Sequence, residues 1–388
     1  MVIQEINPEF IPGAKIKVFG IGGCGNKAIN RMVTEGLEGV EFVAVNTDAQ
    51  DLATNLAIKK VNIGLNLTKG LWAGANPEIG RKSAEESEAD IKAVLQDTDM
   101  VFITCGMGGG TGTGAAPVIA NVAKMMGILT VGIVTKPFSF EGKKREANAE
   151  EGLKKLKECV DTLIVIPNDK IFTVIDKKTT FKQAFTMIDK ILYLGVQGIS
   201  DLIVKPGDIN IDFADIKAVM TDSGSALLGI GYGAGEKRAV DAARKAIENP
   251  LLETNLDGAK RIIFAVSWGH DLTPTEVREA AAVIEEIIDP EANFFWWMTF
   301  DDSMEDEVKV TIIATGFEEQ SKEQILKAPK RDMLGRSTRE SENFITRLTK
   351  KESSRMNDDE DEDEENNEPK VPTEDLETPA FLRRSIKN

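Results

Sequence analysis

Apolar positions in the first half of the chain alternate between short continuous runs and longer stretches where they recur every three or four residues. The short runs predict buried strands and the longer stretches predict helices. The predicted strands are Lys15–Gly20, Glu41–Asn46, Ile58–Ile63, Met100–Cys105, Ile128–Val134 and Leu163–Ile166, and the predicted helices are Asn26–Glu35, Glu78–Leu95, Gly114–Met126 and Lys143–Cys159. Such alternation predicts an α/β domain whose parallel sheet is covered on both faces.

A long helical pattern follows at about Lys182–Val204 and ends at the breaker Lys205-Pro206-Gly207. The pattern then changes to that of a smaller α+β domain. Its predicted helices are Asp212–Met220, Glu236–Glu248 and Pro274–Ile288, and its predicted strands are Ala226–Gly231, Arg261–Val266, Asn293–Thr299 and Glu307–Thr315. The long helix is expected to join the two domains.

The predicted organisation therefore has six segments. They are an N-terminal extension (1–14), a nucleotide-binding domain (15–181), a central helix (182–205), an α+β domain (206–317), a linker (318–377) and a terminal peptide (378–388). Residues 358–365 are eight consecutive acids, which repel one another, so the linker is expected to be disordered. Apolar and basic residues return in Thr378–Asn388, which indicates either a frayed end or a peptide presented to a partner.

Composition excludes several classes of function. The net charge of −17 repels nucleic-acid phosphate, and no apolar run is long enough to span a membrane. Met1–Phe10 lacks the pattern of a secretory signal, and three scattered cysteines indicate a reducing cytoplasm rather than a disulfide framework. With His270 the single histidine, a His-dependent triad or a multi-histidine zinc site is nearly excluded.

The first candidate for chemistry is Gly20-Ile-Gly-Gly-Cys-Gly25, which follows a strand and opens a helix. It matches G-x-G-x-x-G, whose backbone N–H groups approach phosphate at a helix N-terminus. Asp48 lies roughly where a ribose-binding acid would stand in a dinucleotide site. The motif alone is a weak signal, because a tight turn that binds nothing and an NAD-dependent oxidoreductase can both carry it.

A second loop, Gly106–Gly114, is far more specific. It places six glycines in nine residues between a strand and a helix, at a cost in backbone entropy that a simple turn does not require. Two such loops at one sheet edge predict a polyphosphate ligand, whereas a dinucleotide would need only the first.

Further motifs accompany the second loop in a fixed order. They are Val45–Gln50, Gly74–Glu78, Thr135–Phe138, Phe140–Arg145, Ile166–Lys170, Gly198–Ile203 and Pro206–Asp215. Together with Gly108–Gly114, which resembles the tubulin signature loop, they make the chain resemble the FtsZ family of bacterial, tubulin-like cell-division GTPases. The resemblance runs from about Lys15 to Gly316 and returns at Thr378–Arg384.

The resemblance implies a GTP site. Phosphates would be held by Gly22, Gly23, Cys24, Gly25 and Asn26 and by Gly108, Gly109, Gly110, Thr111, Gly112 and Thr113. Glu141 and Arg145 would contact ribose and terminal phosphates, Asn46, Asn168 and Phe185 would border ribose and base, and Thr135 would complete the pocket. Asp189 would read guanine, because a carboxylate accepts both the N1–H and the 2-amino donor.

Two positions depart from the family pattern. Cys24 stands where many relatives have glycine, and Lys27 where they usually have asparagine. Lys27 could add a charge contact to phosphate, and Cys24 could be oxidisable if the helix end stabilises its thiolate.

Hydrolysis is expected between subunits. About 24 Å of helix separates Asp189 from Lys205, so Asp212 cannot reach its own nucleotide. The resemblance implies that Asp212 and Asp215 of one subunit position water at the neighbour's γ-phosphate, while Asn210 orients the loop. Helix capping by Asp212 and Asp215 is the competing structural explanation. Mg²⁺ would be held mainly by GTP phosphates rather than by protein ligands.

The expected function is a filament-forming GTPase that builds the division ring under the inner membrane. The chain itself is one expected partner, in a head-to-tail homopolymer, and an adaptor of FtsA type that binds Thr378–Asn388 is another. The alternatives are an NAD-dependent oxidoreductase, which leaves Gly106–Gly114 unexplained, and a scaffold that binds GTP without hydrolysing it.

Overall fold

A parallel seven-stranded sheet forms the centre of the first half of the molecule. The computed structural model describes residues 13–173, 179–205, 207–248, 256, 258–269, 271–301, 304 and 306–317. The strands are β1 (Ile16–Ile21), β2 (Val40–Asn46), β3 (Lys59–Asn62), β4 (Met100–Gly106), β5 (Leu129–Lys136), β6 (Thr162–Pro167) and β7 (Gly224–Ser225). Their order is β3-β2-β1-β4-β5-β6-β7, and all pairs are parallel. The predicted doubly covered parallel sheet is confirmed.

Helices pack on both faces of this sheet. They are α1 (Gly22–Thr34), α2 (Ala49–Thr54), α3 (Leu65–Thr68), α4 (Pro77–Glu86), α5 (Glu88–Leu95), α6 (Thr111–Met125), α7 (Lys143–Cys159) and α8 (Phe181–Val204). Short 3₁₀ turns occupy Ser139–Glu141 and Asn168–Thr173. Alternation along β1 sends Val18 into the core beneath α1 and α8, and Phe19 and Ile21 into the core beneath α5, α6 and α7.

The prediction of one helix across Glu78–Leu95 is wrong. Ser87 leaves the helical region at φ −102° and ψ 22°, which separates α4 from α5. Its hydroxyl oxygen accepts a hydrogen bond from the backbone N–H of Gly64, at 3.1 Å. This bond to a distant loop overrides the helix-forming composition on both sides of Ser87.

The second half of the described chain forms a mixed four-stranded sheet. Its elements are α9 (Phe213–Met220), β8 (Leu227–Ala234), α10 (Arg238–Ile247), β9 (Arg261–Trp268), α11 (Pro274–Glu285), β10 (Asn293–Phe300) and β11 (Glu307–Thr315). The order is β10-β9-β11-β8, in which β10 pairs in parallel with β9 and the other pairs are antiparallel. Strands β10 and β11 are close in sequence, yet β9 lies between them.

Helix α8 is the predicted central helix, and it lies between the two sheets. A capping box of Thr180 and Gln183 begins it. Its buried side chains Leu192, Val196 and Ile199 belong to a core that also contains residues of β5, β6, β8, β9 and β11. The helix is therefore held along its length by both sheets.

Several sequence predictions lie outside the described residues. They concern most of the N-terminal extension, His270, the acidic linker and the terminal peptide Thr378–Asn388. Within the described ranges, no helix combines the length and apolar character needed to cross a bilayer.

Candidate functional site

The predicted nucleotide-binding residues converge at one edge of the parallel sheet. They follow the carboxyl ends of β1, β2, β4, β5 and β6, or lie on the helices that begin there. The strand order reverses at β1, because β2 and β3 lie on one side of it and β4 to β7 on the other. Ligands of open α/β sheets bind at this switch point, and both glycine loops flank it.

The two glycine loops touch each other. A Cβ atom placed on Gly22, where φ is +71°, would lie 3.0 Å from the backbone nitrogen of Gly112. Helix α1 begins at Gly22 and α6 at Thr111, each several residues earlier than the hydrophobic pattern predicts. Two helix N-termini with positive partial charge therefore meet at one point, which suits an anion with more than one phosphate.

Gly23 and Gly109 have no structural reason to be glycine. A Cβ atom on either would meet nothing within 4 Å, and neither residue adopts a positive φ. By contrast, a Cβ atom on Gly25 would lie 2.4 Å from the carbonyl oxygen of Thr104, and one on Gly114 would lie 1.9 Å from that of Pro77. The open space at Gly23 and Gly109 is what close approach of a ligand requires.

Threonine hydroxyls hold the second loop in place. The Thr113 hydroxyl oxygen accepts a hydrogen bond from the backbone N–H of Gly108 at 2.8 Å, and the hydroxyls of Thr111 and Thr47 lie 3.0 Å apart. Both loop threonines are buried. Their hydroxyls therefore shape the cradle from within, and the Gly108 N–H is engaged in this internal bonding.

A cluster of amides lies beside the first loop. The Nδ2 atoms of Asn26 and Asn46 both donate to Oδ2 of Asp51, each at 2.7 Å. The amide oxygen of Asn26 itself and that of Asn168 are buried and have no hydrogen-bond partner within the described part of the chain. Such buried acceptors are costly unless a ligand supplies a donor, so they fit a site built for a polar molecule.

On α8, Phe185 and Asp189 share one face, as predicted. Phe185 is 48% exposed and packs edge-on against Phe138 with ring centroids 5.5 Å apart, so it is not a core residue. Burial raises the pKa of Asp189 to about 6, and the positive charges of Lys27 and Arg31 on α1 oppose that rise. A half-buried carboxylate beside an exposed aromatic ring can accept hydrogen bonds from a stacked base.

Glu141, Arg145 and Thr135 complete the edge. Arg145 Nη1 lies 2.9 Å from Glu141 Oε2, and the backbone of Arg145 packs against Gly108.

Cys24 lies beside Gly106 and hydrogen-bonds Thr135. Burial raises the pKa of the Cys24 thiol to about 11, so the condition for an oxidisable Cys24, a thiolate stabilised by the helix end, is not supported. Lys27 is exposed at the start of α1.

Asp48 has hydrogen-bond partners within the protein. Its Oδ1 accepts from the backbone N–H of Gln50 and caps α2, and its Oδ2 accepts from the indole N–H of Trp72. Both carboxylate oxygens are thus engaged within the protein. Helix capping and the bond to Trp72 thus account for Asp48, so this residue does not by itself support the oxidoreductase alternative.

The acidic loop stands at the other end of α8. Asp212 is exposed and caps α9, with its Oδ1 accepting weakly from Ala214 at 3.4 Å, while Asn210 Oδ1 accepts from the backbone N–H of Gly207 at 2.6 Å. Asp215, in the first turn of α9, is half-buried. Fifteen helical residues separate Asp189 from Val204, or about 22 Å.

Strand β10 anchors this loop. The backbone N–H groups of Asp208 and Ile209 donate to the carbonyl oxygen of Met298 at 2.8 and 3.3 Å, and the Met298 N–H donates to Ile209 at 3.0 Å. The loop thus forms one antiparallel β-bridge, between Ile209 and Met298, with the edge strand of the second sheet. It presents Asn210 and Asp212 to solvent on a fixed backbone.

Sequence reasoning missed Asp51, Thr47 and Phe138. Thr47 stands inside the motif Val45–Gln50 and Asp51 follows it directly, but nothing in the sequence shows that they face Thr111 and Asn26. Phe138 is buried and stacks with Phe140 at 4.8 Å, which supports the exposed ring of Phe185.

The sequence and the fold are similar to those of known proteins. A family model for the GTPase domain of the Tubulin/FtsZ family matches residues 15–176, and one for the C-terminal domain of the FtsZ family matches residues 224–318. The solved structure of an empty FtsZ dimer from M. jannaschii is 48% identical with a TM-score of 0.75, over 80% of this chain and 93% of that one.

More distant structures share the fold. CetZ1 from Haloferax volcanii, solved as a GDP-bound monomer, is 22% identical with a TM-score of 0.70, over 81% of this chain and 97% of that one. CetZ2 from the same organism, solved as a GTPγS-bound protofilament, is 18% identical with a TM-score of 0.66, over 80% of this chain and 96% of that one.

Proposed function

The chain belongs to the FtsZ family within the tubulin/FtsZ GTPases, and from this premise we propose that it forms head-to-tail filaments that hydrolyse GTP between subunits. GTP occupies the carboxyl edge of the parallel sheet. The acidic loop of the next subunit covers the terminal phosphate. One observation carries the proposal: the loop with Asn210 and Asp212 is exposed and separated from the nucleotide edge by most of the length of α8.

Binding is divided among the elements at the sheet edge. The backbone N–H groups at the starts of α1 and α6 hold the phosphates, with Gly23 and Gly109 leaving room for their oxygens. Arg145 adds a positive charge beside the second loop. Asp189 accepts the N1–H and 2-amino hydrogens of guanine, and Phe185 lies against the base. Adenine lacks that pair of donors, so the site prefers GTP to ATP.

Catalysis is proposed to consist of positioning and electrostatics. Asp212 and Asp215 accept hydrogen bonds from a water molecule and hold it in line with the γ-phosphate of the neighbouring subunit. Asn210 keeps the loop in shape through its bond to Gly207. Bound magnesium, held chiefly by phosphate oxygens, would neutralise charge on the terminal phosphates. No strong base is required in this arrangement.

Assembly follows from the same geometry. A contact between the nucleotide edge of one subunit and the acidic loop of the next joins two different surfaces, and it therefore repeats without closing. The 48%-identical FtsZ from M. jannaschii, solved as a dimer, supports association between copies. Loss of the γ-phosphate removes part of the interface, so hydrolysis weakens the filament.

The cellular role proposed for this filament is the division ring. It rests on membership of the FtsZ family, and the peptide Thr378–Asn388, which lies outside the described residues, would connect the filament to an adaptor of FtsA type. Three basic residues in that peptide are too few to hold a membrane surface without such a partner.

A mixing experiment tests the shared site. Asp212→Ala should bind GTP as tightly as the wild type, because the nucleotide edge is intact, yet release almost no phosphate. At a 1:1 ratio it should lower the turnover of each wild-type subunit to about half, since half of the wild-type nucleotides then face a mutant loop. Asp90→Ala, an exposed change on α5, is the control.

The measurement is phosphate release beside GTP binding at fixed total protein. Turnover per wild-type subunit that is unaffected by Asp212→Ala would place catalysis within one subunit and refute the proposal. An absence of phosphate release by the wild type at every concentration would instead favour the scaffold that binds GTP without hydrolysing it.

A further inference from the structure

Asp51 joins two amides of the nucleotide edge through one oxygen atom. It lies on α2, half-buried, and its Oδ2 accepts 2.7 Å hydrogen bonds from Nδ2 of Asn26 and from Nδ2 of Asn46. Asn26 belongs to the first glycine loop and Asn46 ends β2. The carboxylate thus connects two elements on which the nucleotide is proposed to rest.

The chemistry of a carboxylate fixes how both amides are turned. An ionised carboxylate only accepts hydrogen bonds, so each amide must direct its NH₂ group at Asp51 and its oxygen elsewhere. The oxygen of Asn46 then accepts from the backbone N–H of Thr47 at 2.9 Å. This leaves Asn46 with a partner for each end of its amide.

The oxygen of Asn26 is different. Asn26 is 1% exposed, and its Oδ1 has no hydrogen-bond partner among the residues that the structure describes. The fold therefore keeps a buried acceptor unsatisfied and uses Asp51 to prevent the amide from turning over. Ionised phosphate oxygens offer no hydrogen, so a bound nucleotide could satisfy this acceptor only through a ribose hydroxyl or an N–H group of the base.

We propose that Asp51 is a positioning residue for nucleotide selection. It holds the carboxamide of Asn26 so that its oxygen accepts a hydrogen bond from a donor on the bound nucleotide. The inference rests on the proposed GTP site. The donor is the 2-amino group of guanine or a ribose hydroxyl, which share the property of offering a hydrogen to a buried acceptor.

Two substitutions of Asp51 are expected to affect the orientation of the Asn26 amide differently. Asp51→Ala frees the amide of Asn26 to turn and present NH₂, which a donor group repels. Asp51→Asn offers one oxygen in the place of Oδ2 and can accept both existing bonds, so it preserves the orientation of Asn26 without the charge. A role in helix stability alone would not separate these two variants.

The test compares the affinities of GTP, ITP, 2′-deoxy-GTP and 3′-deoxy-GTP. ITP lacks the 2-amino group, and each deoxy analogue lacks one hydroxyl. The wild type should bind one of the three about tenfold or more weakly than GTP, because that analogue leaves the Asn26 oxygen unsatisfied. In Asp51→Ala the difference should shrink to within about twofold through weaker GTP binding. Asp51→Asn and the control Asp90→Ala should retain it.

Several results overturn the proposal. It fails if the wild type binds all three analogues as tightly as GTP, if Asp51→Ala keeps the wild-type ratios, or if Asp51→Asn loses discrimination together with Asp51→Ala. Circular dichroism melts check folding, and Asp51→Leu replaces Asp51→Ala if the latter does not fold. A wild type that binds no GTP refutes the proposed function instead, so the two failures are distinguishable.

Discussion

The glycines of the two loops differ in what surrounds them, and this difference gives a matched pair of substitutions. Gly109→Ala meets open space at a compatible φ, whereas Gly114→Ala forces a Cβ atom against the carbonyl oxygen of Pro77. We expect Gly109→Ala to melt at or slightly above the wild-type temperature and to bind GTP at least about tenfold more weakly. Gly114→Ala should lower the melting temperature. Thermal melts and nucleotide titrations measure both, and wild-type GTP affinity in Gly109→Ala would contradict the assignment of the second loop.

The ionised carboxylate of Asp189 is expected to destabilise the fold while it serves to recognise guanine. Its pKa, raised from 3.8 to about 6 by burial, means that its ionisation opposes folding. The stability that the neutral form provides is complete below about pH 4 and is lost as the pH rises through about 6. Asp189→Asn should therefore melt above the wild type at pH 8, with a difference that shrinks toward pH 5, and should lose preference for GTP over ATP. A lower melting temperature at pH 8, or unchanged selectivity, would count against this role.

The placement of several candidate residues at one sheet edge was predictable, but the pairings of their side chains were not. The first glycine loop and the motif Val45–Gln50 place Asn26 and Asn46 at the edge, since the carboxyl ends of parallel strands meet there, whereas the role of Asp189 on α8 came from the family resemblance. The shared bond to Asp51 and the bond between Trp72 and Asp48 depend on side-chain directions that spacing does not specify. The conditional suggestion of a stabilised Cys24 thiolate is not supported, because burial raises the pKa of this thiol.

At the scale of elements, the attachment of the acidic loop to β10 is open to test. A Cβ atom on Gly207 would lie 2.5 Å from the Met298 carbonyl oxygen and 3.2 Å from Asn210 Oδ1. Gly207→Ala should therefore shift the loop, leave GTP affinity unchanged and lower phosphate release about tenfold or more. Gly13→Ala, which meets nothing within 4 Å, is the control. Phosphate release at the wild-type rate in Gly207→Ala would show that the loop's position does not matter.

Predicted elements agree with the structure where the signal is local and differ where a distant contact decides. Strands β1 to β6 and helix α8 were predicted to within a few residues because their apolar runs are continuous or regular, whereas the two-residue strand β7 was not predicted. The break at Ser87 depends on a bond to Gly64, and the early start of α6 depends on Gly112 packing against the first loop. The separation of β10 from β11 depends on parallel pairing with β9, which periodicity does not reveal.

At the scale of the whole molecule, the groups proposed to bind GTP and those proposed to hydrolyse it lie at opposite ends of α8. One end lies beside the nucleotide edge, and the other leads into a loop that the second sheet holds in place. Family membership was predictable from eight ordered motifs, and the family models and the 48%-identical structure confirm it. The interface between subunits was not derivable from one chain, because it joins surfaces on two copies.

The rate of phosphate release per subunit, measured against protein concentration at saturating GTP with light scattering recorded in parallel, tests this division most directly. We predict almost no release below a threshold concentration, and a rise in the rate per subunit at the concentration where scattering begins. A rate per subunit that is the same far below the threshold as above it would mean that each subunit completes its own active site.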